Sequence, residues 1–363
     1  MTPLGREIAE TIAQDGPITL ERYMALCLGH PAYGYYATRD PFGASGDFVT
    51  APEITQMFGE LLGLWCAEVW RRMGEPARVA LIELGPGRGT LMADALRAAK
   101  TLPGFFEAVE VTLVETSPTL REIQREKLAG AGVAIRWAST IEQALGALPV
   151  LVLANEFYDA LPIRQFVRTE AGWRERMVGL VDGELGFGLA AEPPVDLRLP
   201  SRPVGFVLEI NPQGVAVAAR VGAHIAAHGG AALAIDYGEG YSAGDTLQAM
   251  RGHGFVDPLA EPGEADVTAQ VDFGALARAA RGAGCATMSL LPQACLLERL
   301  GLQARAEALK RRATPAQRAA LDAAALRLTD RSPSGMGALF KALAFGHPSL
   351  GPLPGFELDG DPR

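Results

Sequence analysis

The feature that most constrains this chain is a glycine-rich stretch at residues 79–90, VALIELGPGRGT. Its apolar first half predicts a buried strand, and the residues that follow have the spacing of a helix. Gly85, Gly87 and Gly89 lie between the two, where alternating glycines allow a sharp turn and a close approach of a ligand to the backbone. We therefore predict a strand, a glycine loop and a helix, with Glu83 facing the same crevice.

The spacing of these glycines separates two classes of nucleotide-binding loop. Dinucleotide enzymes use G-x-G-x-x-G, in which the pyrophosphate rests on the N-terminus of the helix. Here the third glycine comes one residue earlier, and the order E-x-G-x-G-x-G is typical of S-adenosylmethionine (SAM) methyltransferases, whose cofactor has no phosphate. A nicotinamide oxidoreductase is therefore disfavoured, and the remaining alternative is a tight strand-to-helix turn without a ligand.

A second acidic residue supports a nucleoside ligand. Residues 110–117, EVTLVETS, predict a strand that ends at Glu115. An acid at the end of the second strand is where a ribose presents its hydroxyls. The alternative for Glu115 is a solvated strand end, or a cap for the helix predicted at 118–129. Together with the glycine loop, Glu115 is predicted to bind the ribose.

Composition narrows the class of partner. The chain has 363 residues, 48% of them hydrophobic, and a net charge of −9, which suits a core domain with an accessory portion. The acidic balance argues against nucleic acid and anionic membranes, and it favours a basic protein segment. We expect no membrane insertion and no signal or transit peptide. The scattered cysteines and histidines predict no metal site and a reducing compartment.

Strands and helices alternate from residue 79 to 157, which predicts a doubly wound, Rossmann-like parallel sheet of the α/β class. The predicted strands are 79–84, 110–115, 133–138 and 150–156, with helices near 90–99, 118–129 and 140–147. Before them we predict helices at 3–14, 18–28 and 55–73, with a long aromatic loop at 30–54. The predicted domains are residues 1–75, with N-terminal helices and a lid loop, and a core at 76–363.

The alternation breaks in the second half of the chain. Glycine-punctuated runs predict antiparallel strands within 164–190, and insertions into the core are expected at about 164–210 and 294–335. The further predicted elements are strands at 205–212, 231–238, 246–252, 286–292 and 338–345, and helices at 213–228 and 294–328. Ligands of such sheets bind beyond the carboxyl ends of the parallel strands.

Polar groups follow the fourth strand of the predicted sheet. Asn155, Glu156 and Asp159 are expected over the ligand crevice, where methyltransferases place groups that contact the methyl acceptor. The alternative is that Asn155 and Asp159 satisfy the backbone amides of a turn. Glu209 and Asp236 lie at or near the ends of later strands.

A lid over the cofactor is predicted within GDFVTAPEI, residues 46–54. Thr50 and Glu53 are also suited to cap the helix that follows them. His253 is a candidate general base, although a lone histidine is more often structural. The candidate lid and substrate residues are Asp47, Phe48, Thr50, Glu53, Tyr35 and His253.

Eight strings occur along the chain in an order that is similar to a known family. They are ELGPGRGTL (83–91), SGDFVTAPEI (45–54), NEFYDALPIRQF (155–166), LEINP (208–212), DYG (236–238), VDPL (256–259), ADVTAQVDF (265–273) and MGALFKAL (336–343). Together they resemble the MidA family of SAM-dependent methyltransferases, which is related to the mitochondrial arginine methyltransferase of complex I assembly. The chain starts without the long extension of a mitochondrial precursor, so we expect a bacterial, cytoplasmic member.

The resemblance implies a class I methyltransferase fold with SAM as cofactor and S-adenosylhomocysteine as product. It further implies methylation of a protein arginine, which in the mitochondrial member belongs to a complex I subunit. The predicted cofactor-binding residues are Glu83, Gly85, Pro86, Gly87, Gly89, Thr90, Glu115 and Asn155. The predicted catalytic residue is Glu156, which would orient the guanidinium, with Asp159 or Glu209 as a second carboxylate.

Two alternatives keep the same cofactor site. A small-molecule methyltransferase predicts a closed acceptor pocket, whereas a protein substrate predicts an open acidic groove. An assembly chaperone that binds SAM without turnover would retain the glycine loop. The oligomeric state stays open, with a homodimer as one alternative.

Overall fold

The computed structural model describes residues 1–38, 50–195, 197–242 and 244–357, so the predicted lid residues Asp47 and Phe48 lie outside the described residues. The helices are α1 (Pro3–Asp15), α2 (Leu20–Gly29), α3 (Tyr35–Thr38), α4 (Ala51–Ile54), α5 (Gln56–Arg72), α6 (Thr90–Ala99), α7 (Pro103–Ala108), α8 (Pro118–Leu128), α9 (Ile141–Ala144), α10 (Pro212–His228), α11 (Phe273–Gly282), α12 (Gln293–Arg299), α13 (Leu302–Lys310), α14 (Pro315–Thr329) and α15 (Met336–Leu339). The strands are β1 (Ile18–Thr19), β2 (Val79–Leu84), β3 (Val109–Val114), β4 (Ile135–Ala138), β5 (Val150–Asn155), β6 (Arg164–Thr169), β7 (Gly172–Val181), β8 (Glu184–Leu189), β9 (Val207–Ile210), β10 (Gly230–Glu239), β11 (Gln248–Arg251), β12 (Gly254–Val256), β13 (Asp266–Thr268), β14 (Val271–Asp272), β15 (Ala286–Thr287), β16 (Leu291–Pro292) and β17 (Phe340–Gly346). Within the described ranges, no helix is both long and apolar enough to cross a bilayer.

The chain divides into two compact units, each made of three segments. The first unit takes Met1–Phe48, Tyr158–Val215 and Glu239–Asp272, and the second takes Val49–Phe157, Ala216–Gly238 and Phe273–Arg363, each as far as it is described. This division differs from the predicted boundary after residue 75. Residues 50–75 belong to the unit that carries the glycine loop, whereas the N-terminal helices share a unit with the predicted insertion at 164–210.

The second unit contains a mixed sheet with the strand order β15-β17-β10-β5-β2-β3-β4. The five strands from β10 to β4 are parallel, and β17 runs antiparallel to β10. The chain moves outward from β2 to β3 and β4 and then crosses back to β5, so the strand order reverses beside β2. Ligands bind at such a reversal, beyond the carboxyl ends of the strands. The predicted doubly wound α/β sheet is confirmed.

Helices cover this sheet, and two of them, α5 and α6, pack closely against each other because glycines line their contact. Every residue of β5 is buried, as expected for a parallel strand that is covered on both faces. Gly59 and Gly63 of α5 face α6, and a Cβ at Gly63 would lie 2.6 Å from the Cα of Ala95. Glu60, which is 2% exposed, pairs with Arg97 and Arg305 and so ties α5 to α6 and α13.

The first unit is built on antiparallel strands. One sheet has the order β1-β7-β6-β9, with β8 paired to β7, and a smaller sheet has the order β12-β11-β13. The N-terminal helices pack into this unit because their apolar faces, which include Ile8 and Met24, share a core with Val178 and Val267. The antiparallel strands predicted within 164–190 are present as β6, β7 and β8.

Some predicted boundaries are wrong for identifiable reasons. The helix predicted from residue 18 begins at Leu20, because Ile18 and Thr19 pair with β7. The strand predicted at 286–292 is two short strands that pair with different parts of β17. The helix predicted at 294–328 is three helices, because Gly301 has a φ of 92° and Thr314 caps α14.

Candidate active site

The glycine loop that follows β2 makes the sharp turn that its sequence predicts. Gly85, Gly87 and Gly89 have φ values of 60°, 52° and 77°, a region that residues with a Cβ rarely occupy. A Cβ at Gly85 would also lie 3.0 Å from Cδ2 of Phe157. Gly89 is the left-handed N-cap residue of α6. The turn therefore requires the glycines for conformation, and at Gly85 also for space.

Glu83 places a buried acceptor at the end of β2. Its side chain is 3% exposed, and among the described residues its Oε2 has no hydrogen-bond partner. Burial, and then the charge of Glu115, raise the pKa of Glu83 to about 8, against a hydrogen bond from the Met92 backbone. A buried acceptor is costly unless a donor reaches it. The ammonium of the amino acid portion of SAM is a donor of that kind, so Glu83 fits the cofactor.

Glu115 follows β3 at the same edge of the sheet. Its Oε1 accepts the backbone N–H groups of Thr116 and Ser117, both at 2.8 Å, and its Oε2 accepts Nε2 of Gln124 at 3.2 Å. Burial raises the pKa of Glu115, and these hydrogen bonds oppose the rise. Glu115 thus holds the turn before α8, whereas the helix itself is capped by Ser117, whose hydroxyl accepts the N–H of Leu120. A carboxylate has about four acceptor positions, so Oε2 retains capacity for a ribose hydroxyl, and the ribose contact stays a prediction.

Gln124 is a site residue that the sequence reasoning missed. It is fully buried on α8, and its Nε2 donates to the carbonyl oxygen of Gly87 at 2.7 Å as well as to Glu115. The sequence contains a signal for this residue, because Gln124 stands between Leu120 and Leu128 at helical spacing. The structure buries all three side chains. A glutamine within an apolar stripe indicates a specific buried partner.

The carboxyl end of β5 carries two polar side chains that contact each other. Asn155 is 8% exposed and donates Nδ2 to Oε1 of Glu156 at 3.1 Å. Its own Oδ1 has no hydrogen-bond partner among the described residues. Glu156 is half-buried, and its Oε1 also accepts the backbone N–H of Ala51 at 3.1 Å. Its φ of 49° is unfavourable for a residue with a Cβ, a strain that is often found at functional sites.

Asp236 of β10 supports this turn from the neighbouring strand. The side chain is fully buried, its Oδ2 accepts the backbone N–H of Phe157 at 3.2 Å, and its Oδ1 accepts that of Tyr237 at 2.9 Å. Phe157 in turn lies against Gly85. Asp236 therefore holds the turn after Asn155 against the glycine loop.

The segment before α5 reaches the start of α6. Thr50 is the buried N-cap residue of α4, but its side chain makes no capping hydrogen bond. Glu53 of α4 instead accepts a hydrogen bond from the hydroxyl of Thr90, the first residue of α6. The ammonium of Lys127 donates to the same hydroxyl and lies 3.9 Å from Oε1 of Glu53. Two predicted site residues, Glu53 and Thr90, are therefore in direct contact.

Of the predicted site residues that the structure describes, four belong to the first unit: Asp159, Glu209, Tyr35 and His253. Glu209 is 6% exposed and accepts hydrogen bonds from Nε2 of Gln165 at 2.7 Å, from the backbone N–H of Thr246 at 3.0 Å and from the Thr246 hydroxyl. Burial raises the pKa of Glu209, and these donors oppose the rise. Such a set of bonds is typical of a structural carboxylate.

The other three residues of this group have different settings. Asp159 is 7% exposed, and its backbone oxygen accepts the N–H of Ala269 at 3.1 Å. Tyr35 is fully buried against the ring of Tyr36. His253 lies at the turn between β11 and β12 with a φ of 62°. Its side chain is exposed, whereas a general base is usually enclosed in an active site.

Comparisons with known proteins agree with this fold and with SAM as the cofactor. Residues 61–290 match a family model described as "Putative S-adenosyl-L-methionine-dependent methyltransferase". Among the relatives is the mitochondrial protein arginine methyltransferase NDUFAF7 of Danio rerio, 36% identical over 342 residues, which are 87% of this chain and 81% of the relative. The human protein of the same name is 36% identical over 335 residues, 85% of this chain and 76% of that protein.

Two crystal structures from Burkholderia thailandensis have the same fold. One is bound to S-adenosyl-homocysteine, is 28% identical and has a TM-score of 0.80, covering 98% of this chain and 92% of that chain. The other is 31% identical with a TM-score of 0.82, covering 97% and 94%. The fold and the site thus define a class I SAM-dependent methyltransferase. Within that class, the chain belongs to the MidA family, as its motifs predict, and its cofactor is SAM.

Proposed function

We propose that this methyltransferase modifies arginine in a protein substrate. The observation that carries the proposal is the 36% identity, over 87% of the chain, to a protein named as a protein arginine methyltransferase. The carboxylate of Glu156 at the carboxyl end of β5 supports it, because that edge of the sheet also carries Glu83 and Asn155, which are predicted to bind the cofactor. Following the family resemblance, we propose a respiratory complex I subunit as the target and the bacterial cytoplasm as the location.

Glu156 has the chemistry that an arginine acceptor needs. When bound, SAM would supply a methyl group on a sulfonium. An acceptor nitrogen would attack the methyl carbon in line, the C–S bond would break with S-adenosylhomocysteine as the leaving group, and the nitrogen would lose one proton. A guanidinium is protonated and delocalised, so a carboxylate can hold it, orient one nitrogen and stabilise the developing charge. Alignment of the reacting groups can contribute about 7–11 kcal/mol. The contacts with Ala51 and Asn155 anchor the carboxylate of Glu156 for this purpose.

The variant Glu156→Gln tests this role. The amide keeps an oxygen that can accept the N–H of Ala51 but removes the charge. We expect kcat to fall by at least about a hundredfold, the scale of losing one electrostatic contact to the transition state, while the Kd for SAM stays within about twofold. Glu307→Gln, at a side chain that is 64% exposed, is the matched control. Unchanged turnover in Glu156→Gln would remove Glu156 from the proposed mechanism.

The second carboxylate of the proposed clamp is either Asp159 or Glu209. The hydrogen bonds that Glu209 accepts within its own unit favour a structural role for it, so we propose Asp159 first. Asp159→Asn and Glu209→Gln separate the two. Loss of a clamp carboxylate should lower kcat with little effect on stability, whereas loss of a structural carboxylate should lower the free energy of unfolding. A loss of stability without a kcat effect in Asp159→Asn would exclude it.

The substrate is tested in cells. Arginine-methylated peptides are compared between a wild-type strain, a deletion strain and a deletion strain that carries Glu156→Gln. We expect a methylated arginine that is present only in the wild type. If the strain that carries Glu156→Gln assembles complex I without the methylated arginine, the protein acts as a SAM-binding chaperone. If methyl groups labelled on SAM are transferred only to metabolites, the acceptor is a small molecule.

A further inference from the structure

Gln124 joins two predicted parts of the cofactor site to the neighbouring strand β4. Its amide contacts the glycine loop at Gly87, the carboxylate of Glu115 at the end of β3, and the indole of Trp137 on β4. The side chain is fully buried. A Cβ at Gly89 would lie 3.4 Å from Cγ of Gln124, so Gln124 leaves little room for a side chain at this position of the loop.

The orientation of this amide is determined by its neighbours. The indole Nε1 of Trp137 is a donor only, and it lies 2.8 Å from Oε1 of Gln124. The oxygen of the amide must therefore face Trp137, which directs the nitrogen to the other side. That nitrogen has two hydrogens, and it has two acceptors: the Gly87 carbonyl at 2.7 Å and Oε2 of Glu115 at 3.2 Å. The hydrogen-bonding capacity of the NH₂ group is fully used.

The same helix also holds Glu115 from its backbone side. Nε of Arg121 donates to the carbonyl oxygen of Glu115 at 2.9 Å, and Nη2 of Arg121 donates to the hydroxyl of Ser139 at 2.9 Å. Arg121 and Gln124 thus contact opposite ends of one residue from adjacent turns of α8. Arg121 fixes the main chain, and Gln124 fixes the carboxylate.

We propose that Gln124 is a positioning residue of the cofactor site, which holds the glycine loop and the carboxylate of Glu115 in one binding geometry. It touches no ligand itself and acts through Glu115 and Gly87. The proposal concerns the cofactor and not the methyl acceptor, so its test uses S-adenosylhomocysteine and is independent of the proposed substrate.

A thermodynamic cycle that combines a substitution of Gln124 with the loss of a ligand hydroxyl distinguishes a positioning role from an effect on protein stability alone. S-adenosylhomocysteine and its 2′-deoxyribose analogue are titrated into the wild type and Gln124→Met, a variant of similar volume without hydrogen bonds. In the wild type we expect loss of the hydroxyl to weaken binding about tenfold, the scale of one hydrogen bond to a charged group. We expect Gln124→Met to bind S-adenosylhomocysteine about tenfold more weakly than the wild type does. In this variant, loss of the ligand hydroxyl should weaken binding further by less than about threefold.

Kinetics give a second readout. Gln124→Met should raise the KM for SAM about tenfold while kcat at saturating SAM stays within about threefold, because the reacting groups are untouched. Gln303→Met, at an exposed position of α13, is the control and should change neither value. The proposal is overturned if Gln124→Met binds S-adenosylhomocysteine like the wild type, or if the variant keeps the full penalty for the missing hydroxyl.

Trp137→Phe provides the same test if Gln124→Met does not fold. Phenylalanine keeps an aromatic ring but removes the donor that fixes the amide oxygen, so only the acceptors on Gly87 and Glu115 still orient the amide. We expect a smaller loss of affinity, about threefold, and a reduced hydroxyl penalty. Wild-type affinity together with a wild-type hydroxyl penalty in this variant would overturn the role of the orientated amide.

Discussion

At the scale of single residues, the predicted cofactor site contains two buried carboxyl groups, Glu83 and Glu115. Burial raises the pKa of both carboxyl groups, and the charge of Glu115 adds to the rise at Glu83, whose pKa is about 8. Perturbed carboxylates of this kind cluster at functional sites because they await a charged or hydrogen-bonding ligand. A cationic cofactor favours the ionised form of Glu83, and its binding should therefore release a proton near neutral pH.

Glu83 predicts a pH dependence of stability. The ordinary pKa of a glutamate, about 4.5 in the unfolded chain, lies below the folded value, so the folded state holds a proton that the unfolded chain has lost. The free energy of unfolding should fall as pH rises from about 5 to 8, by up to about 1.4 kcal/mol per pH unit, and then level off. Glu83→Gln should flatten this slope in denaturant titrations of the protein without cofactor. An unchanged slope would show that another group carries it.

At the scale of elements, α5 packs closely against α6, the helix that follows the glycine loop. Thr90 and the glycine loop begin α6, and Gly59 and Gly63 allow α5 to approach it. The ion pairs of Glu60 with Arg97 and Arg305 then fix the helices that surround that contact. Glu60 is buried whereas both arginines are partly exposed, so loss of both guanidinium partners would leave a buried carboxylate without an ion pair, which is costly.

Gly63→Val tests this contact. The added side chain has no space, since its Cβ alone would lie 2.6 Å from both the Cα and the carbonyl oxygen of Ala95. We expect the free energy of unfolding to fall by about 1–3 kcal/mol, the usual cost of overpacking. The matched control is Leu64→Ala on the same helix, where the side chain is 38% exposed and the change should be within about 0.5 kcal/mol. Equal stability of the two variants in urea would refute the packing argument.

At the scale of the whole molecule, cofactor binding should stabilise the fold by mass action. S-adenosylhomocysteine at a hundred times its Kd should add about 2.7 kcal/mol to the free energy of unfolding, whereas NADH should add nothing because the loop lacks the dinucleotide spacing. Gly87→Val should abolish the gain, since valine is strained at a φ of 52°. Gly130→Val is the control, at an exposed glycine with nothing within 4 Å of an added Cβ. Stabilisation by NADH would contradict the assignment of the loop.

The sequence allowed good predictions where local pattern and fold agree. The apolar run of β2, the glycines of its loop and the alternation from 79 to 157 are all local signals, and each corresponds to an element of the sheet. Predictions failed where a distant contact decided the outcome. The short β15 and β16 form because β17 lies beside them, and the start of α2 is displaced because β7 pairs with Ile18. No window of the sequence contains both partners of such a pair.

The sequence by itself determined the class of protein, because glycine spacing and strand-end acids depend on backbone conformation and on residues close together in the chain. Only the tertiary structure decided the surroundings of those residues. It showed that Gln124 joins Gly87 to Glu115, that Glu53 contacts Thr90, and that the carboxylate of Glu209 is already held by donors in its own unit. These partners are 37 or more residues apart or depend on which face of a helix is buried. Burial and hydrogen bonding, which set the charge and role of each group, arise only when the chain has packed.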